Sequence, residues 1–262
     1  MIRLTVLGSC GTYPAPGRAC SGYLLEAGPD DGPGPSVKVW VDAGGGSLAN
    51  LLALVDPAEL DAVWISHLHV DHVNDLPLAY YALRYGDYDR PPPVLPVYGP
   101  TGWADRVGGF VTMGTSSALG DAFEARELAD GARLTIGPLE LTAVATVHSV
   151  ETFAVRASAG GHTIAYSADS GPCEALVRLA DGADLFLCES AWASWSDDMP
   201  PHHMTPALAG RVATQAGAAQ LVLTHLRPHH DRRAAIEQAG DAYGGKLGVA
   251  LEGDVYQLGG TT

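Results

Sequence analysis

The stretch Ser66–Pro77, SHLHVDHVNDLP, places His67, His69, Asp71 and His72 within six positions, directly after the apolar run AVWI at residues 62–65. An apolar run that ends in polar residues predicts a buried strand whose end emerges at a sheet edge. Side chains alternate along an extended segment, so His67 and His69 project to the same side. Asp71 and His72 follow where the chain turns, and the spacing predicts a helix there. Four imidazole and carboxylate groups this close would repel or desolvate one another without a cation among them. Neutral imidazole and carboxylate suit zinc, and they also accept manganese or iron.

Further along, three more apolar runs end in the same chemistry. LTAVATV ends at His148, HTIAYSA at Asp169 and QLVLT at His225. Taken singly, His148 and His225 are ordinary polar residues after a strand, and Asp169 before Ser-Gly is an ordinary turn residue. Strand ends converge on one edge of a sheet, however, so the four segments together supply seven candidate ligands. Seven exceed what one tetrahedral ion needs. They suit two ions that share a carboxylate and keep positions open for water and substrate.

Composition narrows the setting. The chain has 262 residues, 47% hydrophobic and 17% charged, which fits a globular protein with a substantial core. No apolar run approaches the ~18 residues that cross a bilayer. The start, MIRLTVLGSC, reads as a strand and lacks the pattern of a secretory signal, so the expectation is a cytoplasmic protein without a membrane partner. Four cysteines (Cys10, Cys20, Cys173, Cys188) show no CxxC spacing, which excludes zinc ribbons and disulfide scaffolds and predicts reduced thiols. The net charge is −15, with 30 acidic against 15 basic residues and no basic cluster beyond Arg232–Arg233. Duplex nucleic acid gains affinity from clustered Lys and Arg, so no extended nucleic-acid partner is expected. A small anion drawn to a local positive centre remains compatible.

Short strand patterns recur in both halves: IRLTVLG, SGYLLEA, VKVWVDAG and AVWIS, then ARLTI, LELTAVATV, TFAVRAS, HTIAYSAD, DLFLCES, QLVLTHL and GVALEGDVYQL. Helical patterns sit between some of them, in SLANLLALVD, CEALVRLAD, TPALAGRVATQAG and RAAIEQAGDAYG. These imply mixed sheets covered by outer helices in a single domain over residues 1–262. GPDDGPGPS (residues 28–36) reads as a hairpin loop, and the proline-rich YGDYDRPPPVLP as a longer connector.

At this point a resemblance is visible. HLHVDH is similar to the HxHxDH signature of the metallo-β-lactamase fold. LGSCGTYPAP, VDAGGG, SHLHVDH, ATVHS, YSADSG, LCESAW, HHMT and LTHLRP follow in that family's order over nearly the whole chain. The resemblance implies an α/β, four-layer αββα sandwich with metal at one edge of its two sheets. It implies that His67, His69 and His148 hold the first ion, that Asp71, His72 and His225 hold the second, and that Asp169 bridges them.

LGSCGTYPAPGRACSGYLLE and CESAW…HHMT…LTHLRP further resemble the ribonuclease Z and phosphodiesterase branch. There a histidine ahead of a helix assists the leaving oxygen. His203 fits that role, with His202 as the adjacent alternative and Glu189 as the carboxylate orienting it. Asp71 would orient the attacking water. Ser170 beside Asp169 is a candidate for support of the site. Asp42, in DAGGG, is expected to anchor backbone amides in a tight turn; a phosphate cradle there would lack a P-loop's lysine.

Between His148 and Asp169 only a strand, a tight AGGH turn and a strand fit, so the protruding arm of tRNA-processing relatives has no room. A small phosphodiester is therefore expected; SGYLLE, DAGGG, LRYG and CESAW further resemble the short bacterial phosphodiesterases of this fold, a resemblance that implies a 3′,5′-cyclic nucleotide as substrate. RNA 3′ processing is the rival reading, and lactone or sulfate-ester hydrolysis a third. Arg227, His229 and His230 are either solvated or one of them meets phosphate. Tyr80, Tyr81, Tyr85 and Tyr88 would pack in the core, stack a nucleobase or form a homodimer interface.

Overall fold

The computed structural model describes the chain except residues 30–36, 113–115, 195, 197–199 and 261–262. Most of the predicted loop at 28–36 thus lies outside the described residues. The first sheet is built from β1 (Ile2–Gly8), β2 (Gly22–Ala27), β3 (Val37–Val41), β4 (Ala62–Trp64), β5 (Leu95–Gly99) and β6 (Phe123–Glu127). The second contains β7 (Arg133–Ile136), β8 (Leu139–Ala145), β9 (Phe153–Ala159), β10 (His162–Tyr166), β11 (Leu185–Glu189), β12 (Gln220–Thr224) and β13 (Lys246–Val249). The last strand, β14 (Val255–Leu258), returns to pair antiparallel with β1 and completes the first sheet in the order β14-β1-β2-β3-β4-β5-β6.

The two sheets repeat one plan. Antiparallel pairs β1–β2 and β2–β3 lead into the parallel run β3–β4–β5–β6. In the second sheet β7–β8, β8–β9 and β9–β10 are antiparallel and β10–β11–β12–β13 parallel. Parallel strands need crossovers, which here include helices. These are α1 (Ser47–Leu52), α2 (Val70–Val73), α3 (Leu76–Tyr85) and α4 (Trp103–Thr112) in the first half, with α5 (Glu174–Leu179), α6 (Pro206–Ala216) and α7 (Arg232–Gly240) in the second.

Alternation along the strands sorts the apolar side chains into three layers. Val39, Trp64, Val155 and Leu187 lie in the layer shared by both sheets. Their sequence neighbours Trp40 and Val63 face outward onto Leu51, Leu76 and Trp103 of the first helical layer. Phe186, Leu221 and Leu223 face Leu176, Val212 and Ala239 of the second. The result is the expected αββα sandwich, and each fully buried large side chain contributes roughly 1.5–3 kcal/mol. Local signals set the helix ends: Thr205 caps α6 by accepting from the Leu208 amide, Pro206 opens it, and Gly217 closes it at φ 62.

Three expectations need correcting. GVALEGDVYQL is not one strand: its halves are β13 and β14, in different sheets, because the turn at Gly253 (φ 89) redirects the chain. The proline-rich connector ends sooner than its composition suggests, since Leu95 and Pro96 already belong to β5. Neither β5, β6 nor α4 is marked by the sequence patterns; β6 has one buried residue followed by four exposed ones, an edge-strand pattern without alternation. Among the described residues no helix is long and apolar enough to cross a membrane.

Candidate metal centre

Carboxyl ends of parallel strands are where open α/β sheets place their sites, and both sheets do so here at a shared edge. The Phe153 amide donates to the Ser66 carbonyl (2.9 Å), which ties the start of β9 to the segment leaving β4. Ser66 is itself fixed by Asp42, at the end of β3: its amide donates to Oδ1 (2.7 Å) and its hydroxyl to Oδ2 (2.9 Å). This holds the extended segment that delivers His67 and His69, while the single turn of α2 directs Asp71 and His72 inward. His148 follows β8, Asp169 follows β10, and His225 follows β12.

Two groups of potential ligands result, each with its ligand atoms within 4.8 Å of one another: His67, His69, His148 and Asp169, and Asp71, His72 and His225. In the first, His69 Nδ1 lies 3.1 Å from His67 Nε2 and 3.0 Å from His148 Nε2, with Asp169 Oδ2 at 3.7 and 3.8 Å from those two Nε2 atoms. In the second, Asp71 Oδ2 stands 3.9 Å from His72 Nε2 and 3.7 Å from His225 Nε2. Asp169 spans both: its Oδ1 is 3.2 Å from His72 Nε2, and its Oδ2 is 3.3 Å from His225 Nε2. Donors bound at 2.0–2.1 Å around a tetrahedral ion are separated by roughly 3.3 Å, so both spacings suit an ion.

The hydrogen-bond partners behind each ring decide which nitrogen faces inward. His148 Nδ1 donates to the His202 carbonyl (2.8 Å), leaving Nε2 as a lone pair. The Ser66 hydroxyl gives its proton to Asp42, so it accepts from His67 Nδ1 (3.0 Å), and His67 Nε2 is likewise a lone pair. His72 Nδ1 donates to Asp42 Oδ2 (2.8 Å). Lone pairs therefore converge on a shared space. His72 Nε2 and Asp169 Oδ1 are both buried and have no partner beyond each other, which is costly unless a proton or a metal ion meets them. The donor set fits divalent metal.

Electrostatics agree with that fit. Burial pushes the His67 imidazole well below its ordinary range and His148 down to about 4, keeping both neutral as ligands require. Burial also opposes charge on His72, but the Asp169 and Asp42 carboxylates override it and hold this ring well above the usual range. Burial disfavours the Asp169 carboxylate, yet His225, His72 and His67 around it pull it well below its ordinary value. Positive charge is thus wanted between the two carboxylates, as a proton or as a metal ion.

His203 stands beside this set, its ring 5.0 Å from that of His148. Its Nδ1 is 2.8 Å from Glu189 Oε1, and Glu189 is fully buried with both oxygens accepting from backbone amides, Ser170 at 3.0 Å and Ala191 at 2.8 Å. Glu189 is thus a buried carboxylate held against the histidine and not a solvated strand-end group. Burial alone would lower His203, but Glu189 reverses this and pushes it up to about 8. Proximity alone would also allow His203 to join Asp169 and His225 around an ion. The nitrogen facing Asp169 (3.8 Å) is the Nδ1 already committed to Glu189, and a nitrogen that donates to a carboxylate has no lone pair for metal. His202 enters through its carbonyl, whereas His203 enters through its ring.

Supporting residues differ in part from expectation. Asp42 anchors one amide, and its larger task is to hold three side chains: Ser66, His72 and Tyr166, whose hydroxyl donates to Oδ2 at 2.8 Å. The amides of Gly46 and Leu48 go to Asp75 (2.8 and 2.9 Å), which leaves no phosphate cradle at DAGGG. Gly44 is there for close approach, since a Cβ would lie 2.2 Å from the Asp71 carbonyl. Ser170 supports the site through its amide on Glu189, while its hydroxyl donates to the Gly171 carbonyl.

Three contacts carry no sequence signal: the Thr12 amide on Asp71 Oδ2 (2.6 Å), the Ser21 hydroxyl against His225 Nδ1 (2.8 Å), and Tyr166 on Asp42. Of the tyrosines, Tyr80 packs in the core, Tyr81 donates to the Val111 carbonyl and stacks on exposed Tyr85, and Tyr88 donates to Asp56.

Fold and site together define a member of the metallo-β-lactamase class. The Beta-lactamase superfamily domain matches residues 33–226, and the chain belongs to that superfamily. It is 32% identical to the probable metallo-hydrolase YhfI of Bacillus subtilis, over 98% of this chain and 100% of that one. The crystal structure of YhfI, a metallo-β-lactamase-fold protein, superposes with a TM-score of 0.83 at 30% identity, covering 98% of this chain and 100% of that one. An uncharacterized protein of Mycobacterium tuberculosis is 35% identical over 98% of this chain and 92% of its own length. Ribonuclease Z of Myxococcus xanthus is 27% identical over 98% of each.

Proposed function

We propose that the chain is a metal-dependent phosphodiesterase that opens small phosphodiesters, 3′,5′-cyclic nucleotides to 5′-nucleotides in particular. The observation that carries the reading is the His203–Glu189 pair, set beside the two ligand groups and directed by a buried carboxylate. In this reading His67, His69 and His148 hold one divalent ion, and Asp71, His72 and His225 a second. Asp169 lies between them. Zinc is the first candidate, with manganese or iron accepted by the same ligands. Bound there, the ions supply Lewis-acid polarisation of phosphoryl oxygens and lower the pKa of water.

The chain's own groups supply direction. Asp71, fixed by the Thr12 amide, offers an acceptor that orients the attacking water. His203 keeps Nδ1 on Glu189 and leaves Nε2 to give a proton to the departing 3′ oxygen. Glu189 stabilises the protonated ring and fixes its orientation, because its two backbone amide bonds prevent it from turning away.

The second sheet supports a small substrate. β9 and β10 are joined by Gly160 and Gly161 alone, both at positive φ, so no arm rises between His148 and Asp169. With a net charge of −15, this supports a small phosphodiester over folded RNA, despite the likeness to ribonuclease Z.

Product analysis tests the proposal. Zinc- or manganese-loaded protein is incubated with 3′,5′-cyclic AMP beside the double variant His67→Ala/His69→Ala. Metal-dependent 5′-AMP that the variant does not form is the expected result. Release of 3′-AMP would sink the leaving-group assignment. Intact cyclic AMP alongside cleavage of precursor RNA would favour the ribonuclease reading.

A further inference from the structure

The loop after β12 carries an arginine, Arg227, whose Nε has no hydrogen-bond partner among the described residues. Arg227 lies two residues beyond His225, and its backbone is held from both sides. Leu226 bridges to Cys10 and accepts from the Gly11 amide (3.2 Å), while the Arg227 carbonyl accepts from the His230 amide (3.0 Å). The next carbonyl, Pro228, receives Arg18 Nη1 at 3.5 Å. The side chain is half-buried, and its Nε is shielded from water without a hydrogen-bond partner. Among the described residues it forms no ion pair, in a chain where acidic residues outnumber basic ones 30 to 15.

Arg227 follows the candidate ligand His225 by two residues, and its positive charge disfavours a proton on both His203 and His230. A guanidinium N–H withdrawn from water is costly unless a partner arrives. The partner that matches its planar fork is a carboxylate or phosphate oxygen pair. No carboxylate of the described chain takes that place. Arg18 and Arg232, on flanking segments, each have one such shielded N–H as well, at Nε and Nη2. They add positive charge beside the loop, where the carboxylates of Asp231 and Glu252 also stand.

We propose that Arg227 binds the non-bridging oxygens of the substrate's phosphoryl group and so selects anionic phosphodiesters over neutral esters. This rests on the phosphodiesterase reading for its substrate, while the anion site itself does not. A charge-assisted bond of this kind corresponds to roughly tenfold to hundredfold in affinity.

The test uses the metal-loaded full chain and inorganic phosphate as the probe, with binding measured by calorimetry. Its variants are R227A, R227K and R227Q, and R126A serves as a control for equal charge loss on exposed β6. R227A should weaken phosphate binding and raise KM for cyclic AMP by that factor, at unchanged metal content and melting temperature. R227K should recover part of the loss, R126A should stay within twofold of wild type, and KM for neutral p-nitrophenyl acetate should not move.

Phosphate affinity within twofold of wild type in R227A overturns the assignment, as does a metal-loaded wild type that binds no phosphate. Should R227A melt below the assay temperature, R227Q decides by the same figures. If the wild type leaves cyclic AMP intact while R227A still loses phosphate, the substrate reading fails and the anion site stands. If cyclic AMP is hydrolysed equally by both and phosphate binding is unchanged, the reverse holds.

Discussion

The two sheets furnish the same kind of ligands in opposite ways. The first sheet contributes four from a single segment, His67 to His72, at the end of β4 and the turn of α2. The second contributes His148, Asp169 and His225 from the ends of β8, β10 and β12, together with Glu189 from β11. A compact motif is rigid because local geometry sets it. Dispersed ligands are placed only when three or four strands adopt their register. The contrast teaches that one half of the centre depends on a short piece of chain and the other on the whole second sheet.

Loss of the shared ligand should be the most severe way to break that comparison. Asp169 touches both groups, so D169N should lower hydrolysis by about a thousandfold or more and take metal content below that of H69A, which weakens the first group alone. Equal metal content in the two variants, measured by elemental analysis, would show that Asp169 is not shared.

The dispersed half should also be sensitive to backbone packing behind its ligands. A Cβ at Gly171 would lie 1.7 Å from the Pro201 carbonyl oxygen, two residues before His203. G171A should therefore displace the 200–203 segment, which carries both His203 and the His202 carbonyl behind His148, and lower the rate by about a hundredfold. Wild-type turnover in G171A would mean that the 200–203 segment adjusts freely.

Carboxylates that orient rings should separate the two halves more finely. D42N should weaken metal binding by about 10–100-fold, because Asp42 orients His72 and holds Ser66 behind His67. E189Q should leave metal affinity unchanged and lower turnover instead, since Glu189 contacts His203 alone among the site's imidazoles. Metal titrations paired with steady-state kinetics distinguish them, and coincident effects would contradict the assignment of His203 as proton donor. The smallest effect should come from Y166F, which removes one hydroxyl from Asp42 and should cost about 1 kcal/mol in urea denaturation.

Legibility followed the same division. The donor set at 67–72 is visible in the sequence because its members are neighbours, and His148, Asp169 and His225 are visible because each ends an apolar run. The αββα layering follows from strand alternation at pairs such as Val39–Trp40 and Val63–Trp64, one facing the shared layer and the other the helices. β6 escaped because an edge strand with four exposed residues has no apolar period. GVALEGDVYQL misled because its apolar residues span a turn. The role of Asp42 was half legible: a strand-end aspartate announces an acceptor, without naming what it accepts from.

What the sequence determined by itself is the chemistry available: which donors exist, on which strand ends, and with what net charge around them. Those properties are local, written in residue identity and in spacings of two or three to four. What only the tertiary structure decided is which nitrogen each ring turns inward. That choice falls to groups distant in the chain: Asp42 behind His72, Ser21 behind His225, the His202 carbonyl behind His148, and Glu189 behind His203. A hydrogen bond between residues far apart has no sequence period, because its geometry exists only once both sheets have packed on their common layer.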